Sequence, residues 1–230
     1  MAIPLYLAMT AAEFSAGKKL PQHPAWMSCH FSPAGKGLSN LPPALPVGSL
    51  LILDDQMPPD EHDAALIRQQ LEVIIEASSC AGLLLDFQRP DDSETDLMVR
   101  ELLRLPCPVC VSHWYAKELP CPVLLPPCPL ITPLAAHLAP WDGREIWLEA
   151  ATDSAGFTVT SSGCQLSCFP GTDCFPHEEN ALHCSYRIEK DSDEIRFHLH
   201  RGPAHIPALL LEAEKLGVSC AVGLRQELEP

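Results

Sequence analysis

The chain has 230 residues, of which 47% are hydrophobic, so it is long enough to bury one large core. Its 15 Lys and Arg residues against 30 Asp and Glu residues give a formal net charge of −15. That charge repels nucleic-acid phosphates and anionic membrane surfaces, so we expect neither as a partner. No apolar stretch reaches transmembrane length, because Pro or charged residues interrupt the longest runs.

The N-terminal segment and the cysteines indicate in which cellular compartment we expect the protein. The segment 1–14 is apolar but lacks a positively charged start, so it is interpreted as a strand rather than a signal peptide. Eleven cysteines, an odd number, favour free thiols in a reducing cytoplasm. The pair Cys107 and Cys110 has metal-binding spacing, but no second pair follows it, so packing is the favoured role. We expect a cytoplasmic protein without a metal or cofactor.

Eight short apolar runs recur along the chain and are typical of strands. Such near-continuous runs indicate parallel strands that are buried on both faces of a sheet. The predicted strands cover residues 3–9, 25–31, 49–55, 82–88, 107–115, 121–126, 144–151 and 219–228.

Helical patterns lie between these strands. The clearest cover 60–79, 92–105 and 203–217, the last ending at Gly217, and weaker ones cover 10–17, 116–119 and 133–140. Strands that alternate with helices predict an α/β fold, here a small (β/α)8 TIM barrel forming a single domain over 1–230. Pro-rich loops at 42–48 and 125–133 replace some outer helices.

One segment interrupts the alternation. Residues 156–169 have the pattern of a hairpin turning at Ser162-Gly163, and 182–200 that of a second hairpin turning at Asp191–Asp193. The sequence therefore predicts an antiparallel insertion over 152–202, between the seventh strand and its helix.

The fourth strand carries a resemblance. Residues 81–90 read AGLLLDFQRP. This resembles the fourth strand of family 18 glycoside hydrolases, the chitinase-like barrels, which reads D-G-x-D-x-D-x-E before an aromatic residue and Pro. Gly82, Asp86 and Pro90 match, and many members also have an antiparallel insertion after the seventh strand. The resemblance implies a chitinase-like barrel with a sugar-binding location.

The departures from the family pattern concern catalysis. The resemblance implies that a Glu at position 88 would protonate the leaving oxygen while the neighbouring Asp orients the substrate's acetamido group. This chain has Gln88, and an amide cannot deliver a proton, which is typically worth ~10²–10⁴-fold in rate. The outer Asp positions of that strand, the third-strand Ser-x-Gly-Gly, the sixth-strand Met-x-Tyr-Asp and the last-strand Trp are also absent. The resemblance thus implies the scaffold and a sugar site more than hydrolysis.

Polar residues near the strand ends are the candidate site, because active sites of such barrels form at the C-terminal face. Asp86 and Gln88 share one face by the two-residue period of a strand. The predicted catalytic residues are Asp86 and Glu149, and the predicted substrate-binding residues are Gln88, His30, Asp54, His113, Tyr115 and Gln226.

Structural roles compete with each of these assignments. Asp86 could cap a loop or bind Arg89 or Arg144, and Glu149 could form a salt bridge. Asp54 and Asp55 precede an acidic segment and favour a solvated loop. The residues 113–115 fit either a stacking platform for a sugar or half-buried core.

Three functions remain open from the sequence. The first is a barrel that binds a small molecule or an oligosaccharide at its C-terminal mouth with weak or no hydrolysis. The second is an active glycosidase that uses Asp86 and Glu149. The third is a non-enzymatic interaction protein that uses the hairpin insertion. Neither the substrate nor the oligomeric state can be read from the sequence.

Overall fold

The computed structural model describes residues 3–16, 19–42, 44–57, 61–89, 93–116, 119–167, 174–191 and 193–229. Strands and helices alternate along most of this length. The elements outside the insertion are β1 (Leu5–Met9), α1 (Ala11–Ser15), β2 (Pro24–Phe31), β3 (Leu38–Ser39), β4 (Leu50–Asp54), α2 (Ala64–Ser78), β5 (Gly82–Asp86), α3 (Ser93–Leu102), β6 (Val109–Ser112), α4 (His113–Ala116), β7 (Val123–Leu125), α5 (Leu134–Leu138), β8 (Ile146–Glu149), α6 (Ile206–Lys215), β14 (Val218–Leu224) and α7 (Arg225–Leu228).

Eight parallel strands close into a barrel. Their order is β1, β2, β4, β5, β6, β7, β8 and β14, and β14 pairs with β1 to complete the ring. The short β3 pairs antiparallel with β2 and stays outside the ring. All eight predicted strands occur in this ring, and the predicted TIM barrel is confirmed.

The helices differ from the predicted ones mainly at their ends. The helix predicted from residue 60 begins at Ala64, because the Asp63 carboxylate caps it by accepting from the Ala65 and Leu66 amides. The pattern at 203–217 becomes a 3₁₀ turn followed by α6, and Gly217 follows with a left-handed φ of 88°. The helix predicted over 116–119 falls largely on residues 117 and 118, which lie outside the described residues, and α4 spans His113–Ala116. The fifth barrel strand therefore ends at Ser112 rather than at residue 115.

The strands divide the core into two layers. Side chains alternate along each strand, so Leu84 of β5 points into the barrel while Leu83 and Leu85 pack against the helices. Gly82 lies at the lower end of β5, where an added Cβ would come within 3.2 Å of the Trp147 ring and 2.9 Å of the Pro108 carbonyl oxygen. The interior layer consists of Ala8, Ala25, Leu50, Ile52, Leu84, Cys110, Leu124, Trp147, Cys220 and Val222.

The insertion is an antiparallel sheet of five strands, and it lies where the sequence predicts, between the seventh barrel strand and its helix. Its first turn is at residues 161–162, one position earlier than predicted. The strands are β9 (Asp153–Thr160), β10 (Gly163–Ser167), β11 (His177–Glu179), β12 (Cys184–Lys190) and β13 (Glu194–Arg201), in the order β10-β9-β13-β12-β11.

Arg201, the last residue of β13, anchors the insertion to the barrel. It is 1% exposed. Its guanidinium donates hydrogen bonds to the Cys128 carbonyl at 2.6 Å, the Leu182 carbonyl at 2.8 Å and the His183 carbonyl at 3.2 Å. Cys128 belongs to the loop after β7, so this side chain joins the barrel to the insertion.

Candidate functional site

Three carboxylates reach the inside of the barrel mouth. Asp54, Asp86 and Glu149 each end a strand two residues after an inward apolar side chain, so the two-residue period turns all three inward. They line a cavity of about 240 Å³ together with Gln88 and Asp55. Its lower wall is apolar and includes Ile52, Leu84, Leu124 and Val222.

Asp86 is held by an amide rather than by a cation. Gln88 Nε2 donates a hydrogen bond to Asp86 Oδ1 at 3.1 Å. Burial raises the pKa of Asp86, the Gln88 hydrogen bond opposes that shift, and the charges of Asp54 and Asp55 add to it. Arg89, expected as an alternative partner, donates instead to the Gln56 carbonyl. Arg144 likewise binds backbone carbonyls of residues 119 and 121, so neither arginine neutralises Asp86.

Glu149 has no hydrogen-bond or ion-pair partner among the described residues, so the alternative role in a salt bridge is not found there. Burial, with the charges of Asp86 and Glu227 nearby, raises the pKa of its carboxyl to about 7. A carboxyl of this kind is largely protonated at mildly acidic pH, which lets it donate a hydrogen bond or a proton. The mouth therefore contains one amide-held aspartate and one glutamate that titrates near neutrality.

The expectation of a solvated loop at residues 54 and 55 is wrong. Asp54 Oδ2 lies 2.6 Å from His30 Nδ1, which fixes both side chains at the rim. Asp55 is 5% exposed and accepts hydrogen bonds from the backbone amides of Gln88 and Arg89 at 2.8–3.1 Å. Asp55 was not among the predicted site residues, although it fixes the segment that carries Gln88.

A second cavity, of about 390 Å³, adjoins the first. Asp86, Gln88, Leu124 and Glu149 line both, so the two form one cleft across the mouth. His113 and Trp114 line its far side, and their rings lie 4.4 Å apart. Trp114 is 57% exposed and offers an aromatic face next to the carboxylates. Burial and the proximity of His137 lower the pKa of His113, which favours its neutral form.

Comparison with known proteins gives a consistent result for the fold. No family model and no curated protein sequence matches the chain. Among solved structures, a class V chitinase variant from Nicotiana tobaccum in complex with NAG4 is similar, with a TM-score of 0.60 and 8% identity over 100% of this chain and 95% of that one. The chain has the fold of a chitinase-like barrel.

Two further solved structures of chitinase-like proteins are also similar to this chain. The chitinase-like agglutinin RobpsCRA from Robinia pseudoacacia has a TM-score of 0.58 at 12% identity, covering 98% of this chain and 95% of that one. Human YKL-39, a pseudo-chitinase with retained chitooligosaccharide binding properties, has a TM-score of 0.54 at 10% identity, covering 99% and 95%. The barrel architecture is thus shared at very low sequence identity.

Two predicted substrate-binding residues of this chitinase-like barrel lie away from the cleft. Tyr115 is 2% exposed, packs edge-on against Phe87 at 5.9 Å and donates its hydroxyl to the Arg89 carbonyl. It is turned into the outer core because α4 begins at His113. Gln226 lies on α7, after the last strand, and its side chain bonds Glu13. The matched Pro90 lies outside the described residues.

Other features of the described chain bear on ligands and location. A larger cavity, of about 960 Å³, lies between the loops at 32–36 and 61–63, and it contains none of the predicted site residues. Among the residues that the structure describes, no group of three or more His, Cys, Asp and Glu side chains is arranged to hold a metal ion. None of the described helices combines the length and apolar character needed to cross a bilayer.

Proposed function

We propose that this chitinase-like barrel binds a carbohydrate in the cleft at its C-terminal mouth, with weak or no hydrolysis. The observation that carries the proposal is the hydrogen bond from the Gln88 amide to Asp86, inside a cleft that also presents Glu149 and Trp114. The amide occupies the position where the family resemblance implies a proton donor. The Gln88 amide is similar in size to a glutamate carboxyl and still forms hydrogen bonds, but it cannot act as an acid.

The chemistry of the cleft suits a sugar. Asp54, Asp86 and Glu149 supply hydrogen-bond acceptors for hydroxyl groups, and Gln88 supplies both a donor and an acceptor. The exposed Trp114 ring provides a flat apolar face, and the apolar face of a pyranose packs well on such a ring. N-acetylglucosamine oligomers are the first ligands to test, because the similar solved structures include a chitinase bound to NAG4 and a pseudo-chitinase that retains chitooligosaccharide binding.

Calorimetric titration with an N-acetylglucosamine tetramer tests the binding proposal. We expect saturable binding by the wild type, and Trp114→Ala should weaken it about fivefold, since a stacked aromatic contributes on the order of 1 kcal/mol. Leu97→Ala is the control, because Leu97 is 61% exposed on α3 and lines neither cavity. An equal loss in both variants, or no binding by the wild type, would contradict the proposal for this ligand.

Gln88→Glu tests the reason for weak hydrolysis. The new carboxyl would lie beside Asp86, whose charge should raise its pKa toward that of a working acid. We expect the variant to cleave N-acetylglucosamine oligomers slowly while the wild type does not, with Gln88→Met as the inactive control of similar size. Efficient cleavage by the wild type and by Gln88→Met would refute the proposal.

A true glycosidase using Asp86 and Glu149 is the second candidate function. The raised pKa of Glu149, about 7, favours it, because a glutamate poised near neutrality is suited to general acid catalysis. In that case the wild type hydrolyses a glycoside, Glu149→Gln abolishes the activity, and Gln88→Ala retains most of it. This pattern separates the second candidate from the first.

A further inference from the structure

Two of the carboxylates in the cleft at the barrel mouth already have partners within the chain. Asp54 Oδ2 lies 2.6 Å from His30 Nδ1, and Asp54 Oδ1 accepts a hydrogen bond from the Gln56 amide at 3.1 Å. Both oxygens of Asp55 accept hydrogen bonds from backbone amides of the loop after β5, at 2.8–3.1 Å. These two side chains therefore shape the cleft and have little capacity left for a ligand.

The other two carboxylates keep free acceptor oxygens. Among the described residues, Asp86 accepts one side-chain hydrogen bond, from Gln88 to its Oδ1, and Glu149 accepts none. Asp86 and Glu149 line both cavities of the cleft, and the charge of Asp86 helps to raise the pKa of Glu149. No Lys or Arg belongs to the described residues that line these two cavities. The two carboxylates thus lie near each other without a cation of the described chain between them.

Hydrogen-bond donors beside these carboxylates are partly used. Gln88 gives an amide hydrogen to Asp86, and the buried Ser112 gives its hydroxyl to the Phe87 carbonyl at 2.6 Å. An ammonium group brings three donors and a positive charge, whereas an acetamido group brings one donor and a carbonyl oxygen that needs a donor. The free acceptors of the cleft therefore suit an ammonium group better than an acetamido group.

We propose that the cleft prefers a sugar with a free ammonium group to its N-acetylated counterpart, and that the ammonium binds Asp86 and Glu149 together. The preference rests on the proposed carbohydrate binding in the same cleft, and it identifies the ligand class as oligosaccharides of deacetylated amino sugars. A cation between the two carboxylates replaces their repulsion with charge-assisted hydrogen bonds. The apolar wall below them, with Leu84 and Leu124, reduces screening by water. Trp114 remains available to stack on a neighbouring ring of the ligand.

Binding of the ammonium group releases a proton from Glu149. The charged or titratable groups around this carboxyl are Asp86, Glu227, His113 and, beyond Asp86, Asp54 and Asp55. Burial and the negative neighbours raise the pKa of Glu149 to about 7, so the carboxyl is mostly protonated at pH 6. An ammonium beside it favours the ionised form and lowers that pKa. A neutral sugar lacks this effect and leaves the proton in place.

Calorimetric titration of the full chain with three tetramers tests the preference. The tetramers are those of β-linked glucosamine, N-acetylglucosamine and glucose, which carry an ammonium, an acetamido and a hydroxyl group at the same position. At pH 7 and about 0.1 M salt, the dissociation constant of the glucosamine tetramer should be at least about tenfold lower than the other two, because its hydrogen bonds are charge-assisted. At pH 6, titrations in two buffers of different ionisation enthalpy should show release of more than about half a proton with this tetramer alone.

Glu149→Gln and Asp86→Asn each remove one carboxylate with little change in shape. Both should reduce the preference to about threefold or less, and Glu149→Gln should abolish the proton release. Glu145→Gln is the matched control, because it makes the same change just before β8, at the opposite end of the strand. Glu145 accepts a hydrogen bond from Trp147 Nε1 and lines neither cavity, so this variant should keep both the preference and the proton release.

Three outcomes would overturn the preference, and they differ in what they leave standing. Equal or tighter binding of the N-acetylglucosamine tetramer by the wild type overturns it and leaves the proposed carbohydrate site intact. A preference that survives unchanged in both Glu149→Gln and Asp86→Asn also overturns it, because general attraction by the net charge of −15 then accounts for the result. Failure of all three tetramers to bind contradicts both the preference and the carbohydrate site.

Discussion

Glu149, at the tip of β8, makes the stability of the protein depend on pH. Its ordinary pKa of 4.5 applies to the unfolded chain, and burial beside Asp86 raises the pKa in the folded state to about 7. Between these two values the folded state holds a proton that the unfolded state has released. The free energy of unfolding therefore falls as pH rises from about 4.5 to about 7, and the loss is complete above that range.

Glu149→Gln removes this pH dependence. Its neutral amide cannot ionise, so the variant should be more stable than the wild type at pH 8, by about 1–3 kcal/mol after allowance for partial exposure. At pH 4 the two should be nearly equal. Urea unfolding at pH 4, 6 and 8 measures the difference.

An exposed glutamate serves as the comparison for that experiment. Glu76→Gln, on the outer side of α2, makes the same chemical change outside the cleft and should show no stabilisation that grows with pH. If Glu149→Gln were instead less stable than the wild type at pH 8, an unrecognised cation partner would be holding the ionised carboxylate.

At the scale of elements, Asp55 ties the end of one barrel strand to the loop that follows the next. Its carboxylate, directly after β4, accepts hydrogen bonds from the backbone amides of Gln88 and Arg89. Asp55→Ala should lower the free energy of unfolding by about 2–4 kcal/mol, because buried amides lose a charged acceptor. Urea unfolding measures this, and carbohydrate binding should weaken as well, because Gln88 loses its fixed position.

Asp63→Ala is the control, because it also removes a carboxylate that accepts backbone hydrogen bonds but does so outside the cleft. It separates a positioning role of Asp55 in binding from general destabilisation. Asp63 accepts from the Ala65 and Leu66 amides at the start of α2, and removing such a cap costs about 1 kcal/mol. That variant should be mildly destabilised but retain full binding. Equal effects of the two substitutions on binding would remove the case for a positioning role of Asp55.

The elements that the sequence predicts best are the buried strands. Eight apolar runs bounded by Pro, Gly and charged residues locate the whole barrel, and the two-residue period brings Asp86 and Glu149 to the same cleft. The predictions fail where a strand leaves the barrel. The run through residue 115 continues apolar and aromatic, but the chain turns into α4 at His113, and this turn sends Tyr115 outward. Asp55 was assigned to a solvated loop because its partners are backbone amides 33 and 34 residues away, which no local pattern encodes.

At the scale of the whole molecule, closure of the barrel depends on the last strand. β14 pairs with β8 on one side and with β1 on the other, so it joins the two ends of the ring. Deleting residues 219–230 removes the pairing of β14 with β1 and with β8 and exposes the interior layer around Trp147. We expect loss of the cooperative unfolding transition, monitored by circular dichroism during heating.

A shorter deletion provides the control. Removing residues 229–230 leaves β14 and α7 intact and should preserve the transition. A normal cooperative melt of the longer truncation would show that the barrel does not need its eighth strand.

Arg201 also determines how the molecule opens. Its guanidinium satisfies three carbonyls of the barrel and the insertion while having almost no contact with solvent. Swinging the insertion away would leave the Cys128 carbonyl without its Arg201 donor and would expose a cation that is otherwise fully buried. We therefore expect the base of the insertion to unfold together with the barrel as one cooperative unit, with its amide hydrogens exchanging with solvent on the timescale of global unfolding. The outer turn at 161–162 lies far from this anchor along its strands, and we expect its amide hydrogens to exchange first.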